Sequence, residues 1–404
     1  MHLCVFEDAA TAHLAPLSDT RAVFDLRLAA RTLLRTIRDA FFGLPLALVT
    51  RETVADVTAE AHGLAVGAPD GPALWVNGRF VAHDGPALDA VRKLARDASP
   101  RALVTDDGDI VAAFAPSATT PAALAGLPST VLPDVTMVRR LWDFNALLRP
   151  SLAVDLARFI PNGLRGTGQR HPGLHPAALL GAPENVYVGE GARVFPGAVM
   201  NAEAGRIVLD DGAEVHEGAV VRGPVYIGPG SLVKPLAFVE GVALGPSCKI
   251  GGEVHSTVFV GHSNKGHYGF VGNSYIGEWC NFGAGSDTSN MRNDYGDVAL
   301  FDEAIGAPSP SGQQFLGLIY GDHAKCSIAT TFNTGTVVGV GCNLYGSGFH
   351  DRHVPNFSWG MPGDYVPYRF EKFFRVAQMV LARRGRTLSD AQRTLLQRLA
   401  EARA

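Results

Sequence analysis

Nonpolar residues recur at every sixth position through much of the second half of this chain, and this spacing constrains the fold more than any other feature of the sequence. Glycine follows many of them, as in IGPGSL, IGEWCN, FGAGSD and VGVGCN. Because glycine adopts positive φ without strain, a short strand, a turn and another short strand can repeat and stack as a coil. The spacing predicts a parallel β-helix whose inward-facing residues include three series: Ile227, Val233 and Val239; Val258, Phe270, Ile276 and Phe282; Ile328, Thr334 and Val340.

The distribution of glycine divides the chain near residue 185. Of its 46 glycines, 31 lie between Gly181 and Gly348 and only 12 lie in the first 180 residues. Before the boundary, short apolar runs alternate with helical patterns, which is typical of a layered βα sheet. This alternation predicts strands over residues 3–6, 46–49, 74–76 and 110–114, and a helix over residues 21–41.

These patterns give four expected segments. A Pro- and Gly-rich stretch separates the two halves, and an apolar helical face that includes Phe370, Phe373 and Ala377 follows the hexad region. We expect an α/β domain over residues 1–165, a linker over 166–184, the β-helix over 185–365 and C-terminal helices over 366–404.

The overall composition excludes several classes of protein. Lys plus Arg number 35 against 39 Asp plus Glu, so we expect neither a nucleic-acid-binding surface nor a disordered chain. Five cysteines without a C-x-x-C pair argue against a disulfide framework. With no visible signal sequence and no apolar span long enough for a membrane, we expect a cytoplasmic protein without a membrane partner.

Two sequence blocks resemble one known family. The more specific block includes SNKGHYGFVGNSYIGEWCNFGAGSDTSNMRNDYGDV and PNFSWG, and the shorter one joins CVFEDAATAHLAPLSDTRAVFDLR to WVNGRF and LWDFN. They resemble the GlmU-like bifunctional sugar-1-phosphate nucleotidyltransferase/acetyltransferases, closest to a divergent bacterial branch. The resemblance implies a Rossmann-like α/β nucleotidyltransferase-like domain and a left-handed β-helix. It also implies a homotrimer with acyl-transfer sites between subunits, acetyl-CoA as cosubstrate and a sugar phosphate as acceptor.

The resemblance places the catalytic histidine at His267, within KGHYGFVGNSYIG. A neutral imidazole can remove a proton while a sugar amine attacks a thioester, and such a base is worth roughly 10² to 10⁴ in rate. Backbone N–H groups near Gly283 and Gly285 would then stabilise the oxygen of the tetrahedral intermediate.

Other positions of the second half match the family's ligand contacts. The resemblance assigns substrate binding to Lys234, Lys265, Asn281 and Asn290, and contacts to the coenzyme A arm to Ser327, Ala329 and Gly346. Three departures concern the acceptor: Phe270 replaces an aromatic hydroxyl, His255 replaces a lysine, and Lys265 lies one residue nearer the histidine than the family's lysine. We expect acyl transfer to an amino sugar 1-phosphate like glucosamine 1-phosphate, and these departures leave open which amino or hydroxyl sugar is the acceptor.

The first half departs further from the family. Its phosphate-binding glycines and arginine are replaced in FEDAATAHLAPLS, so Arg21 and Arg27 are the candidates for holding phosphate of a sugar or nucleoside triphosphate. Asn77 and Asp143 are the candidate Mg²⁺ ligands. Two interpretations remain open here: Mg²⁺-dependent nucleotidyl transfer, or a degenerate domain in which Arg21, Arg27 and Asp25 form structural ion pairs.

Two further functions compete for the β-helix. His262 and His267 have the spacing of zinc ligands in γ-class carbonic anhydrases, which are also trimeric left-handed β-helices, so zinc-dependent hydration is an alternative. The second alternative is a nonenzymatic trimeric scaffold, which would bind neither coenzyme A nor a nucleotide.

Overall fold

The computed structural model describes residues 1–159, 174 and 178–403. These residues form two compact units. The sheet unit comprises Met1–Leu26, Arg31–Arg140 and Asp390–Leu395, and the solenoid unit comprises Arg27–Ala30, Leu141–Ser389 and Leu396–Ala404. Most of the linker expected over residues 166–184, like the expected end of the first domain at residue 165, lies outside the described residues.

The sheet unit is built on one mixed sheet of six strands. They are β1 His2–Phe6, β2 Leu46–Val49, β3 Ala73–Asn77, β4 Arg101–Val104, β5 Ile110–Ala115 and β6 Ser129–Val131. The strand order is β2-β1-β3-β5-β4-β6, and β5 runs antiparallel to both of its neighbours. Three α-helices accompany it: α1 Leu33–Ala40, α2 Ala55–His62 and α3 Pro86–Asp97. The four strands expected from the apolar runs are therefore present, in a Rossmann-like α/β layer.

The helix expected over residues 21–41 is much shorter in the structure. A 3₁₀ turn covers Val23–Asp25, and the α-helix begins only at Leu33, where the Thr32 hydroxyl accepts a hydrogen bond from Arg35 N at 3.2 Å. The apolar residues in between are buried in extended and turn conformations. The helical spacing thus identified a buried stretch correctly but assigned it the wrong secondary structure.

The solenoid unit contains a parallel β-helix of about ten turns with three faces. Face one consists of β7 Leu179–Leu180, β10 Val199–Asn201, β13 Val220–Arg222, β16 Phe238–Glu240, β19 Glu253–His255 and β22 Phe270–Gly272. Face two consists of β8 Val186–Val188, β11 Ile207–Leu209, β14 Val225–Ile227, β17 Ala243–Leu244, β20 Val258–Gly261, β23 Tyr275–Glu278, β27 Ile319–Tyr320, β30 Val337–Val338 and β32 His353–Val354.

Face three has two parts. It begins with β9 Arg193–Val194, β12 Glu214–Val215, β15 Leu232–Val233, β18 Lys249–Ile250 and β21 Asn264–Lys265. Backbone bridges of Asn281 to Asn264 and to Lys325 continue it into β28 Lys325–Cys326, β31 Asn343–Leu344, β33 Ser358–Met361 and β34 Asp364–Pro367. Beyond face one, β24 Asp287–Thr288 pairs with β29 Thr331–Phe332. The remaining pair, β25 Val298–Asp302 and β26 Ala307–Gln313, is an antiparallel hairpin that leaves the coil.

The hexad register is correct in the first stretch and displaced in the third. Ile227 and Val233 are fully buried as expected, whereas Ile328 is 71% exposed on a turn. In that last stretch the inward positions belong instead to Cys326, Phe332, Val338 and Leu344. Phe270 is likewise only half-buried, because its neighbour Val271 points into the core.

The terminal helices pack against an aromatic series on the solenoid. At the turns between faces two and three, His262, Trp279 and His323 adopt positive φ where earlier coils have glycine. The His262 and Trp279 rings stack at 4.3 Å, and His323 contacts Phe373 of α5 (Phe370–Ala382) at 5.6 Å. Two α-helices remain to be placed in the chain. α4 Asp143–Phe159 precedes the coils in sequence, and α6 Asp390–Glu401 follows α5. Within the described residues, every helix is too short or too polar to cross a bilayer.

Candidate active site

One corner of the solenoid brings together five of the predicted site residues. We call the turns that lead from face three to face one, or to its continuation β24 and β29, the third corner. Along the coil axis this corner carries Lys234, then His267 two coils later, then Ser327 and Ala329 together two coils after that, and Gly346 in the next coil. The sequence placed these residues in separate motifs, and the coil geometry aligns them because each follows a strand of face three.

His267 projects from the third corner between β21 and β22, and its side chain is exposed. In the preceding coil, the same corner is formed by two glycines, Gly251 and Gly252. A Cβ on Gly251 would lie 3.2 Å from the Lys234 Cβ, and a Cβ on Gly252 would lie 2.9 Å from the His267 carbonyl oxygen. Two glycines therefore let successive coils approach closely between Lys234 and His267, both of which remain accessible.

Lys265 is a correction to the sequence-based assignment. Its side chain points into the solenoid and is only 2% exposed. The Nζ atom donates hydrogen bonds to the carbonyl oxygens of Gly251 at 3.1 Å and His267 at 2.7 Å. Burial lowers the pKa of this amine to about 8. Because the amine is committed to two backbone carbonyls inside the coil, it is not placed to hold a sugar phosphate.

The two candidate asparagines lie on different faces beside the third corner. Asn281 is exposed on face three, where its backbone bridges Asn264 and Lys325. Asn290 is half-buried after β24, and its Nδ2 donates to the Asn273 Oδ1 at 2.7 Å. Asn281 thus presents its amide to solvent near His267, whereas one function of the Asn290 amide is already used within the chain.

The backbone donors proposed for the oxyanion are engaged in the coil. Gly283 N donates to the Cys326 carbonyl and Gly285 N donates to the Tyr268 carbonyl, both at 3.1 Å. These bonds are part of the regular ladder between coils. These two N–H groups are therefore not open to an oxyanion, and an oxyanion site near Gly283 and Gly285 stays a prediction that needs other backbone donors.

The third corner also carries exposed apolar side chains that the motifs did not assign to a site. Tyr268, next to His267, is 73% exposed, and its ring lies over Gly285 of the following coil. Leu236 and Ile328 are exposed on the same corner in other coils. The Leu236 position at positive φ, which glycine usually takes, was a detectable signal only once the coil register was known.

His262 and His267 lie on different corners, at opposite ends of β21. The His262 ring is 8% exposed, stacks on Trp279 and has a pKa lowered to about 4 by burial, with further contributions from Arg386 and Arg384. Within the described residues, no group of three His, Cys, Asp or Glu side chains is arranged to hold a metal ion. The zinc-hydration alternative gains no support from this geometry.

In the sheet unit, Asn77 is enclosed in an ion-pair network rather than open to a metal. Its Nδ2 donates to the Asp8 Oδ2 at 2.7 Å and to the Ile110 carbonyl at 2.9 Å, and its Oδ1 accepts from Arg79 N at 2.9 Å. The Arg79 guanidinium, fully buried, binds both carboxylate oxygens of Asp8 at 2.9 and 2.6 Å. A guanidinium thus already neutralises the carboxylate beside Asn77, and these residues do not fit Mg²⁺.

The other first-half candidates fall in different places. Arg21 belongs to the sheet unit and is half-buried, and its carbonyl accepts from Arg51 at 3.1 Å. Arg27 belongs to the solenoid unit, where its guanidinium donates to the carbonyls of Val260, Ala29 and Ala30.

These three carbonyl contacts make Arg27 a structural residue and contradict its assignment to phosphate binding. Asp143, the second predicted Mg²⁺ ligand, is the first residue of α4 in the solenoid unit. It therefore lies in a different unit from Asn77. Asp25 pairs with His62 at 2.9 Å.

Comparison with known proteins supports the family expected from the motifs. A family model described as sugar nucleotidyl transferase matches residues 3–160. A bifunctional sugar-1-phosphate nucleotidylyltransferase/acetyltransferase of Sulfurisphaera tokodaii is 33% identical over 157 residues, which are 37% of this chain and 38% of that protein. The bifunctional protein GlmU of Methanocaldococcus jannaschii is 30% identical over 189 residues, or 41% and 45% of the two chains.

The chain is thus similar over part of its length to bifunctional sugar-1-phosphate enzymes and GlmU proteins. It spans less than half the length of these two relatives. The match to a solved Arabidopsis UDP-N-acetylglucosamine acyltransferase covers 56% of this chain and 90% of that protein, at 14% identity and a TM-score of 0.27. Because that TM-score is low, the description of the β-helix rests on the strand pairing given above.

Proposed function

We propose that the solenoid unit transfers an acyl group from acyl-CoA to a sugar, with His267 as the general base. The single observation that carries this proposal is the alignment of His267 with Lys234, Ser327, Ala329 and Gly346 on one exposed corner. A base and a cation beneath it, together with backbone-rich turns above it, are the groups that deprotonation of a sugar and docking of a pantetheine arm require.

The chemistry follows from the exposed imidazole. Its neutral nitrogen accepts the proton of an acceptor amine or hydroxyl as that group attacks the thioester carbonyl of acetyl-CoA. The tetrahedral intermediate then expels coenzyme A as thiolate, and the proton held by His267 can pass to the departing sulfur. Lys234 supplies positive charge two coils earlier, where it suits an anionic group of the acceptor such as a phosphate.

The acceptor class follows from the side chains beside His267. Phe270 and the exposed Tyr268 give this part of the third corner an aromatic surface, while Asn281 offers an amide that donates and accepts at once. The named relatives are bifunctional sugar-1-phosphate enzymes and GlmU proteins. We infer an amino sugar 1-phosphate or a closely related sugar as acceptor, with a homotrimer completing each site in the cytoplasm.

For the sheet unit, the match to a sugar nucleotidyl transferase model favours a role with sugar nucleotides. The Asp8–Arg79 pair argues against Mg²⁺ at Asn77, so we infer that this unit is degenerate in metal-dependent transfer. A coupled assay for pyrophosphate release from nucleoside triphosphates and sugar 1-phosphates, with and without Mg²⁺, tests this inference. Mg²⁺-dependent release would contradict it.

The decisive experiment replaces His267 with alanine. We expect H267A to lose roughly 10² to 10⁴ in kcat for acyl transfer, because the general base is removed. The measurement is thiol release from acetyl-CoA with a panel of hexosamine phosphates, combined with acetyl-CoA binding by calorimetry and oligomeric state by light scattering. Binding and assembly should be unchanged.

The matched control is H216A, which removes another histidine from the third corner, several coils earlier and paired with Glu214. Its turnover should stay near that of the wild type. Unchanged turnover in H267A would remove His267 from the mechanism. Stoichiometric zinc in purified wild-type protein, lost in H267A, would favour hydration over acyl transfer.

A further inference from the structure

The side chain of Lys265 fills a position inside the solenoid that aliphatic residues occupy in the preceding coils. Lys265 pairs with Ile250 in parallel register, and the same inward column continues below through Val233, Val215 and Val194. On the far side, Phe282 follows in the next coil, where it is also buried. An ammonium group is therefore inserted into a column that packs well with Val and Ile.

This insertion is unfavourable for stability by itself. Removing an ammonium from water costs several kcal/mol unless it is paired, and replacing buried ionic groups by hydrophobic residues is often neutral or stabilising. The column shows that an aliphatic side chain would fit at this position. The lysine therefore requires an explanation other than packing.

The hydrogen bonds of Lys265 supply that explanation. One goes to the Gly251 carbonyl of the preceding coil and the other, at 2.7 Å, goes to the carbonyl of His267 itself. The next carbonyl, that of Tyr268, is held from the following coil by Gly285 N at 3.1 Å. Two consecutive peptide groups of the exposed turn are thus fixed, one from inside the coil and one from above.

We propose that Lys265 is a positioning residue that holds the backbone of His267, and through it the orientation of the catalytic imidazole. The inference rests on the proposed function of His267. It differs from the family-based assignment, which gave Lys265 to the sugar phosphate. Lys265 acts from inside the coil and contacts neither acceptor nor coenzyme.

The test replaces Lys265 with methionine, which keeps an unbranched chain but removes the donors. We expect K265M to fold and assemble as the wild type does, and to lose about 10- to 100-fold in kcat with KM values within twofold. Displacements near 1 Å of a catalytic group have effects of this size. The matched control is I250M, which changes volume in the same column one coil earlier and should retain wild-type kcat.

A second readout does not depend on activity. The N–H groups of Glu253 and Gly285 donate to the carbonyls of Gly269 and Tyr268 in this turn. Their hydrogen exchange should become faster in K265M and stay unchanged in I250M, because only the first variant loses the bond to the His267 carbonyl. A purely structural lysine would instead change exchange throughout the coil and leave kcat per folded molecule intact.

The outcomes separate this inference from the proposed function. Unchanged exchange of the Glu253 and Gly285 amides in K265M overturns the positioning role whether or not acyl transfer is found. Faster local exchange with unchanged kcat also overturns it, provided that H267A is inactive. If H267A retains full activity while K265M loosens the turn, the proposed function fails and Lys265 still fixes that turn.

Discussion

Each unit of this chain contains a buried cation, and the two are stabilised in different ways. In the sheet unit, the Arg79 guanidinium forms a two-pronged ion pair with the carboxylate of Asp8. In the solenoid unit, the Lys265 amine gives its two hydrogen bonds to uncharged carbonyls. A carboxylate offsets the buried charge directly, whereas carbonyl dipoles offset it only in part.

The difference bears on function. The Asp8 carboxylate, paired with Arg79, also accepts a hydrogen bond from Asn77, the predicted Mg²⁺ ligand, which is fully buried. The Lys265 amine instead fixes a turn whose neighbouring side chains stay exposed. Arg79, whose charge is offset by a carboxylate, thus lies beside a polar group that is fully buried. Lys265, whose charge is offset only in part, lies beneath the exposed corner to which we assign acyl transfer.

The largest expected effect comes from breaking the ion pair between Asp8 and Arg79. Replacing Arg79 with methionine leaves the Asp8 carboxylate facing Asn77 without its partner, so we expect a loss of about 3 kcal/mol in the free energy of unfolding. Urea denaturation followed by circular dichroism measures the loss.

The control for that prediction is the double variant R79M/D8N, which removes the charge left behind. It should recover part of the lost stability, because the penalty belongs to the unpaired carboxylate rather than to the missing guanidinium. If the two substitutions were simply additive, the ion pair would contribute little and the contrast with Lys265 would lose its basis.

The second effect comes from the incompletely neutralised cation and depends on pH. Burial lowers the pKa of Lys265 to about 8 from an ordinary value of 10.5. Between these values the unfolded chain binds more protons than the folded chain, so this site makes the free energy of unfolding rise with pH. Over the full window the rise is at most about 3 kcal/mol.

That contribution is isolated by comparing wild type with K265M, since the buried cysteines titrate in both. We expect K265M to have the larger free energy of unfolding at pH 7. The difference between the two proteins should shrink between pH 8 and 10.5. Chemical denaturation at several pH values measures it. A gap that stays constant with pH would mean that Lys265 carries no shifted protonation in the folded state.

The same contrast explains which features of the sequence were predictive. The hexads and glycines specified a coil because a short repeated unit imposes one backbone geometry. The catalytic role of His267 stays a prediction that rests on the motif formed by its flanking residues. Lys265 was misassigned, since a hexad pattern marks inward positions by hydrophobicity and a lysine there violates the pattern. The same rule placed the exposed Ile328 inside.

The sheet unit shows the complementary failure. Asn77 matched a metal-binding position in the chain, but its environment depends on Asp8 and Arg79, of which Asp8 lies far away in sequence. Helical spacing over residues 21–41 likewise reported burial without reporting backbone geometry. Patterns of hydrophobicity therefore predicted which residues are buried better than they predicted which polar groups contact one another.

The smallest expected effect comes from an exposed pair with the same chemistry as Asp8 and Arg79. Arg292 contacts Asp294 at 2.5 Å in the segment before the β25–β26 hairpin, and this contact lowers the pKa of the aspartate well below its usual range. Because both side chains are solvated, water replaces the lost contact when either one is removed. We expect R292A to unfold at the same urea concentration as the wild type. Added salt should change this midpoint equally in both proteins. A loss as large as that of R79M would show that partner identity, rather than burial, determines the stability of such pairs.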